Sequence, residues 1–132
     1  MNNLPRLGIK RAFEKIIVDE MNLEYVESAF TTGVTESVQV GIPMMQEEYE
    51  RIAMQSKLKT TLSVTFEIFS EVNETGVHKA AYDIFNITAI HPLLKEFKIN
   101  RIYPISSSTS YNDESSDGHV IVQVVLNLEY FM

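Results

Sequence analysis

The stretch 59-KTTLSVTFEIFSE-71 decides the fold class. Leu62, Val64, Phe66 and Ile68 alternate with Ser63, Thr65 and Glu67, so one side of an extended chain is apolar and the other polar. Period two is the signature of a strand with one buried face. A second such run ends the chain at 119-HVIVQVVLNLEYFM-132. There Val120, Val122, Val124, Leu126 and Leu128 form one face, while Ile121 and Val125 on the reverse predict cover on both sides over part of the length.

Between these strands, 72-VNETG-76 turns the chain and a helix is predicted over about 77 to 90. Ala80, Ala81, Ile84, Phe85 and Ile87 point inward, the alanines allowing close approach to a sheet, and His91-Pro92 ends the element. The run 97-FKINRIYPIS-106 reads as a further strand, with Pro104 at a bulge or edge. A long polar loop, 105-ISSSTSYNDESSDG-118, precedes the last strand.

Towards the N-terminus, Ile9, Ala12, Phe13, Ile16, Ile17 and Met21 recur at helical spacing. They predict a helix at about 7 to 21, with Leu4-Pro5 at its start and Asn22 as its stop. Short strands are predicted in 23-LEYVESAFTT-32 and 36-ESVQVGIP-43, around Gly33 and closed by Pro43. The next segment, 44-MMQEEYERIAMQSK-57, reads either as a short helix with Met45, Tyr49, Ile52 and Met54 inward, or as an extended excursion. Together the elements predict an α+β fold: a mainly antiparallel β-sheet with two α-helices packed on one face. A single domain over 1–132 is expected, with a mobile loop at about 105–118.

At 132 residues the chain can bury one real core, and its 45% hydrophobic and 22% charged shares are those of a globular protein. It has no cysteine, which excludes disulfides and thiolate metal sites. No apolar run reaches the length of a membrane span. The formal net charge of −7 argues against binding nucleic acid. That charge is uneven: Arg6, Lys10, Arg11 and Lys15 give the first fifteen residues +3 against −10 for the remainder. They form either an electrostatic patch for a partner or the solvated face of a helix.

Catalytic and metal motifs do not converge. His78, His91 and His119 are isolated and read as surface or capping residues. The glycines form no phosphate loop, and no serine sits in a nucleophile elbow. The cluster 46-QEEYE-50 reads as a solvated acidic face, and Asp113, Glu114 and Asp117 miss the spacing of a calcium loop. No catalytic, cofactor or metal residue is assigned and no cofactor is expected. The serine-rich loop is a plain connection, a phosphorylation target, or an assembly element that orders against a partner.

From 62-LSVTFEIFSE-71 through 78-HKAAYDIFNITAI-90 to the final strand, the chain resembles the tail terminator (tail completion, tail-to-head joining) proteins of long-tailed bacteriophages. Ala80-Ala81 soon after a strand, and a hairpin closing near the C-terminus, carry the likeness. The N-terminal helix matches by order of elements, and residues 33–58 are longer than the pattern requires. The resemblance implies a non-enzymatic virion protein, assembled in a bacterial host and located at the head-tail junction. It would form a homo-oligomeric, hexameric ring that caps the completed tail tube and joins it to the head connector.

A ring requires two different surfaces on each subunit. The expected interface residues are Tyr111, Asp113, Glu114 and Asp117 of the loop, with Arg6, Lys10, Arg11 and Lys15 as their complement on a neighbour or the tube. Tyr130, Phe131 and Met132 are the third candidate set, either an apolar tail that a partner covers or the finish of the core strand. The competing functions are another head-tail connector or completion ring, and a small ligand-binding regulatory domain with a pocket between sheet and helices.

Overall fold

The computed structural model describes residues 5–27, 37–52, 57–112 and 119–132. Helix α1, Pro5–Lys15, begins on its proline, whose missing N–H has no helical partner to lose. It continues as one π-helical turn, Ile16–Glu20. Asn22 then stops it in the left-handed conformation (φ 56°), as the sequence predicts.

Strand β1 is only Glu24–Tyr25 and runs parallel to the start of β2, Gln39–Arg51. Strand β3 is Leu58–Ser70, helix α2 Glu74–Phe85, and a short 3₁₀ turn spans Lys95–Phe97. Strand β4, Arg101–Asn112, and strand β5, His119–Phe131, complete the chain. The sheet order is β1-β2-β3-β5-β4, and every pair but β1–β2 is antiparallel.

The predicted alternation sets the core. Leu62, Val64, Phe66 and Ile68 of β3, with Val122, Val124, Leu126 and Leu128 of β5, have essentially no solvent exposure. They join one cluster with Ile9, Phe13, Ile16 and Ile17 of the first helical segment and Val77, Ala80, Ala81 and Ile84 of α2. Phe13 meets Phe66 edge-on with ring centroids 5.1 Å apart, an arrangement the aromatic quadrupole favours. Both helices therefore lie on one face, and the fold is α+β as predicted. On the reverse face Ile121 and Val125 are half-buried.

Four boundaries differ from the sequence reading. Residues 44–51 form no helix; the extended alternative is the one adopted, and β2 runs straight through Pro43 at a register shift between Gly41 and Met44. A bulge absorbs the proline because its missing N–H falls where the ladder is already broken. The expected 105–118 loop is strand as far as Asn112, paired to β5 throughout. Pro104 sits at the register shift between Pro104 and Ser106, as predicted.

Helix α2 starts and ends earlier than expected, well before His91-Pro92. Asn73 caps its start by accepting from Gly76 N at 2.9 Å, and Asn86 closes its end. Finally, the strand predicted over 23–32 is two residues long within the described part of the chain.

Candidate functional site

Glu47 carries a carboxylate on which three elements converge. Register places it beside Leu62 on the helix-covered face of the sheet, and its side chain is only 6% exposed. It accepts from Arg6 Nη1 at 2.6 Å, Tyr49 Oη at 3.0 Å and Tyr130 Oη at 3.1 Å. The start of α1, the middle of β2 and the end of β5 thus meet on one carboxylate. Of the C-terminal set, read either as an apolar tail that a partner covers or as the finish of the core strand, Tyr130 is 1% exposed within the subunit and takes the second role. Phe131 and Met132 are exposed at 43% and 38%. The main chain of Met132 nevertheless pairs with Leu58 in both directions, at 2.9 and 3.1 Å.

Two of the four basic residues of α1 have partners within the subunit. Arg6 is held by Glu47, and Lys10 Nζ lies 3.7 Å from Glu27 Oε2. Arg11 and Lys15 form no ion pair with a described residue. They line an open cavity of about 510 Å³ with Pro5, Gly8, Ala12, Leu93, Glu96 and Phe97. That cavity lies outside the core, between α1 and the turn at 93–97, and no sheet residue lines it. Beside it, burial and then the charges of Glu14 and Glu27 push the Tyr25 hydroxyl up to about 12. The same partial burial, with the neighbouring Glu27 carboxylate, raises Glu14.

Tyr111 stands at the far end of the sheet. Its hydroxyl donates to Glu74 Oε2 at 2.9 Å, in the first turn of α2, while its ring stays 57% exposed. Asp113, Glu114 and Asp117 lie outside the described residues. In register terms Tyr111 is level with Val120 and Ser70, whereas Glu47 is level with Leu62, Leu128 and Ile102. Nine steps of β4 separate the two levels, ~30 Å at strand rise. The structure therefore keeps Tyr111 and the Arg6–Glu47 contact toward opposite ends of the sheet.

His91 is a tie between elements. Its Nδ1 accepts from Leu93 N at 3.1 Å, and its Nε2 lies 2.9 Å from Glu20 Oε1. His78 lies 3.3 Å from Glu74 on the exposed side of α2. Among the described residues no group of three His, Asp or Glu side chains could hold a metal ion, and no helix is long and apolar enough to cross a membrane.

Two further features escape sequence reasoning. The sheet face away from the helices is mixed, with Ile121 and Val125 among polar pairs such as Ser63 hydrogen-bonded to Asn127 at 2.7 Å. Its β4 margin carries Arg101, which holds Glu129 at 3.0 Å and stacks 4.4 Å above the Tyr103 ring. The guanidinium hydrogen bond keeps the Glu129 carboxyl below its ordinary range. The second feature is the pair of sheet edges. β1 covers β2 only at Gln39 and Val40, and β4 is terminal in the sheet. No described strand pairs with β2 from Met44 onward or with the outer side of β4.

No family model matches the chain, and no curated protein does. Among solved structures it is similar to a chain from the virion of a native gene transfer agent (GTA) particle. The TM-score is 0.59 at 9% sequence identity, over 96% of this chain and 95% of that one. At that identity the likeness is one of fold. It extends over nearly the full length of both chains.

Proposed function

We propose that this protein is a structural subunit of a phage-like virion, and that it is the tail terminator: a ring of identical copies that caps the completed tail tube and joins it to the head connector. The observation that carries the reading is the end-to-end overlap with a chain of a virion particle, covering 96% of one and 95% of the other. An independent resemblance in element order, from Leu62 to the C-terminus, points to the same class.

The surface chemistry suits assembly better than a pocket. Among the described residues the core cluster occupies the space between sheet and helices, and the cavities beside α1 open to solvent. Two strand edges that no described strand covers give each subunit two different surfaces, as a closed head-to-tail ring needs. Function on this reading comes from association and not from catalysis.

The test is the mass of the purified protein by light scattering across concentration, alone and with tail tubes built from the source's own tube protein. A ring-sized species, or its appearance on tube ends, supports the proposal. A protein that stays monomeric at every concentration and ignores tubes overturns it.

A further inference from the structure

The two edges that no described strand covers are chemically unlike. From Met44 to Arg51, β2 exposes Glu48, Glu50 and Arg51, Glu47 being taken up by Arg6, and a charged margin of this kind stops a strand from pairing with its own copy. β4 is blunted only near its start, by Pro104 and the adjoining bulge. From Ser106 to Tyr111 it has no charge and no proline, and all six residues are exposed. A bare edge of this length is a template for strand addition.

We propose that Ser106–Tyr111 of β4 receives the free half of β2, Met45–Glu50, from a second copy of this chain as an added antiparallel strand. This rests on the ring reading and specifies its subunit contact. Strands β2, β3, β5 and β4 alternate in direction. A copy related by rotation about a ring axis therefore presents its β2 antiparallel to β4, and the ladder continues without a change of type.

The faces agree as well. Ser106, Ser108 and Ser110 are level with Val125, Gln123 and Ile121, on the side away from the helices. Gln46, Glu48 and Glu50 are level with Ser63, Thr61 and Lys59, on that same side. Pairing Ser106 with Glu50, Ser108 with Glu48 and Ser110 with Gln46 keeps every residue on its own face. It also sets each serine hydroxyl opposite an oxygen acceptor, at the ~5 Å Cβ separation of cross-strand neighbours.

The isologous alternatives are poorer. Joining β2 to β2 brings acidic margins together, and joining β4 to β4 ends at two copies with both β2 edges still free.

The test uses charge sign on the full chain. Ser106→Glu/Ser108→Glu sets like charge against Glu50 and Glu48, and it lowers the association constant by about tenfold or more, since directly opposed like charges destabilise a strand pair. Ser106→Lys/Ser108→Lys retains or strengthens association. Adding Glu48→Lys/Glu50→Lys to the glutamate variant in the same chain restores it. Both serines are exposed, and circular dichroism melting confirms that each variant folds.

If the glutamate and lysine pairs weaken assembly equally, or leave the wild-type mass unchanged, the edge contact is overturned and the ring reading stands. A two-copy species indifferent to Glu48→Lys/Glu50→Lys identifies β4–β4 pairing and also overturns it. A wild-type chain that never assembles removes the ring reading, and this inference with it.

Discussion

Arg6 Nη1 lies 2.6 Å from Glu47 Oε1 across a sequence separation of 41 residues, and the same carboxylate takes the Tyr130 hydroxyl at 3.1 Å on its other oxygen. The contact fixes the first turn of α1 to β2 where the helix has few core residues of its own. With the Glu47 side chain only 6% exposed, removing the carboxylate strands the buried Tyr130 hydroxyl as well as a cation. Glu47→Ala is therefore expected to cost about 2–3 kcal/mol, near the upper range for a buried group losing a charged partner. Tyr130→Phe removes one hydroxyl while keeping the ring, and about 1 kcal/mol is expected. Urea unfolding of both variants checks the ranking. Equal midpoints for Glu47→Ala and wild type would show that the network contributes nothing.

Gly8 lies inside α1, where alanine normally stabilises a helix by about 1 kcal/mol. Here a Cβ would come within 2.6 Å of Phe97 Cε1 and 2.8 Å of its Cζ. The ring is partly buried against the core, so it must shift and lose packing. Overpacking of this kind costs about 1–3 kcal/mol, which exceeds the propensity gain, and Gly8→Ala is expected to lower Tm. In a Phe97→Ala background the sign reverses, because the obstruction is gone and only the propensity remains. A double-mutant cycle by thermal unfolding reads the coupling directly.

The legible parts of the fold are those where periodicity and burial coincide. From Leu62 to Ile68 in β3 and from Val120 to Leu128 in β5 every second residue is both apolar and buried, so period two declares the strand. The segment 44–51 hides its strand because Met45 and Tyr49 also fit helical spacing. Its inward position 47 is occupied by a glutamate whose burial depends on Arg6 and Tyr130, far away in sequence. Nothing distinguishes Glu47 from Glu48 or Glu50 in the chain itself.

The run 106–111 looks like a loop for a similar reason. All its side chains are exposed, and serine has little strand preference of its own. Its extended form is dictated by pairing with β5, a relation local sequence does not carry. The basic set of α1 is visible as charge, yet the pairing of Arg6 and Lys10 depends on Glu47 and Glu27, and Arg11 and Lys15 pair with no described residue.

Thr60 offers a substitution expected to stabilise. It is fully buried, and its Oγ1 has no hydrogen-bond partner. The residue faces Tyr49 on one side and Tyr130 on the other in the ladder. Valine has the same branched shape without the hydroxyl, and strands accept it readily. Thr60→Val should raise stability by about 1 kcal/mol, because a buried polar atom without a partner carries its full desolvation penalty. Chemical denaturation gives the answer, and a clear loss of stability would mean that the hydroxyl is satisfied in solution.

Alkaline pH should unfold the protein through two tyrosines. Burial, reinforced by the Glu14 and Glu27 charges, raises the Tyr25 phenol to about 12. Burial and then the Glu47 charge raise Tyr130 as well. An unfolded tyrosine ionises near ~10. A group raised on folding contributes stability that is fully present below the unfolded value and is lost as pH climbs through the folded one. The window for Tyr25 is therefore from ~10 to about 12, where the unfolded chain ionises more readily than the native one and the equilibrium is drawn towards unfolding. Phenolate absorbance followed alongside circular dichroism should show a late-titrating fraction that appears together with the loss of structure. In the Tyr25→Phe/Tyr130→Phe double variant that coupled fraction should vanish, leaving a shallower fall in stability above pH ~10. If the wild-type phenols all titrate near ~10 with secondary structure intact, neither ring is shielded as the packing requires.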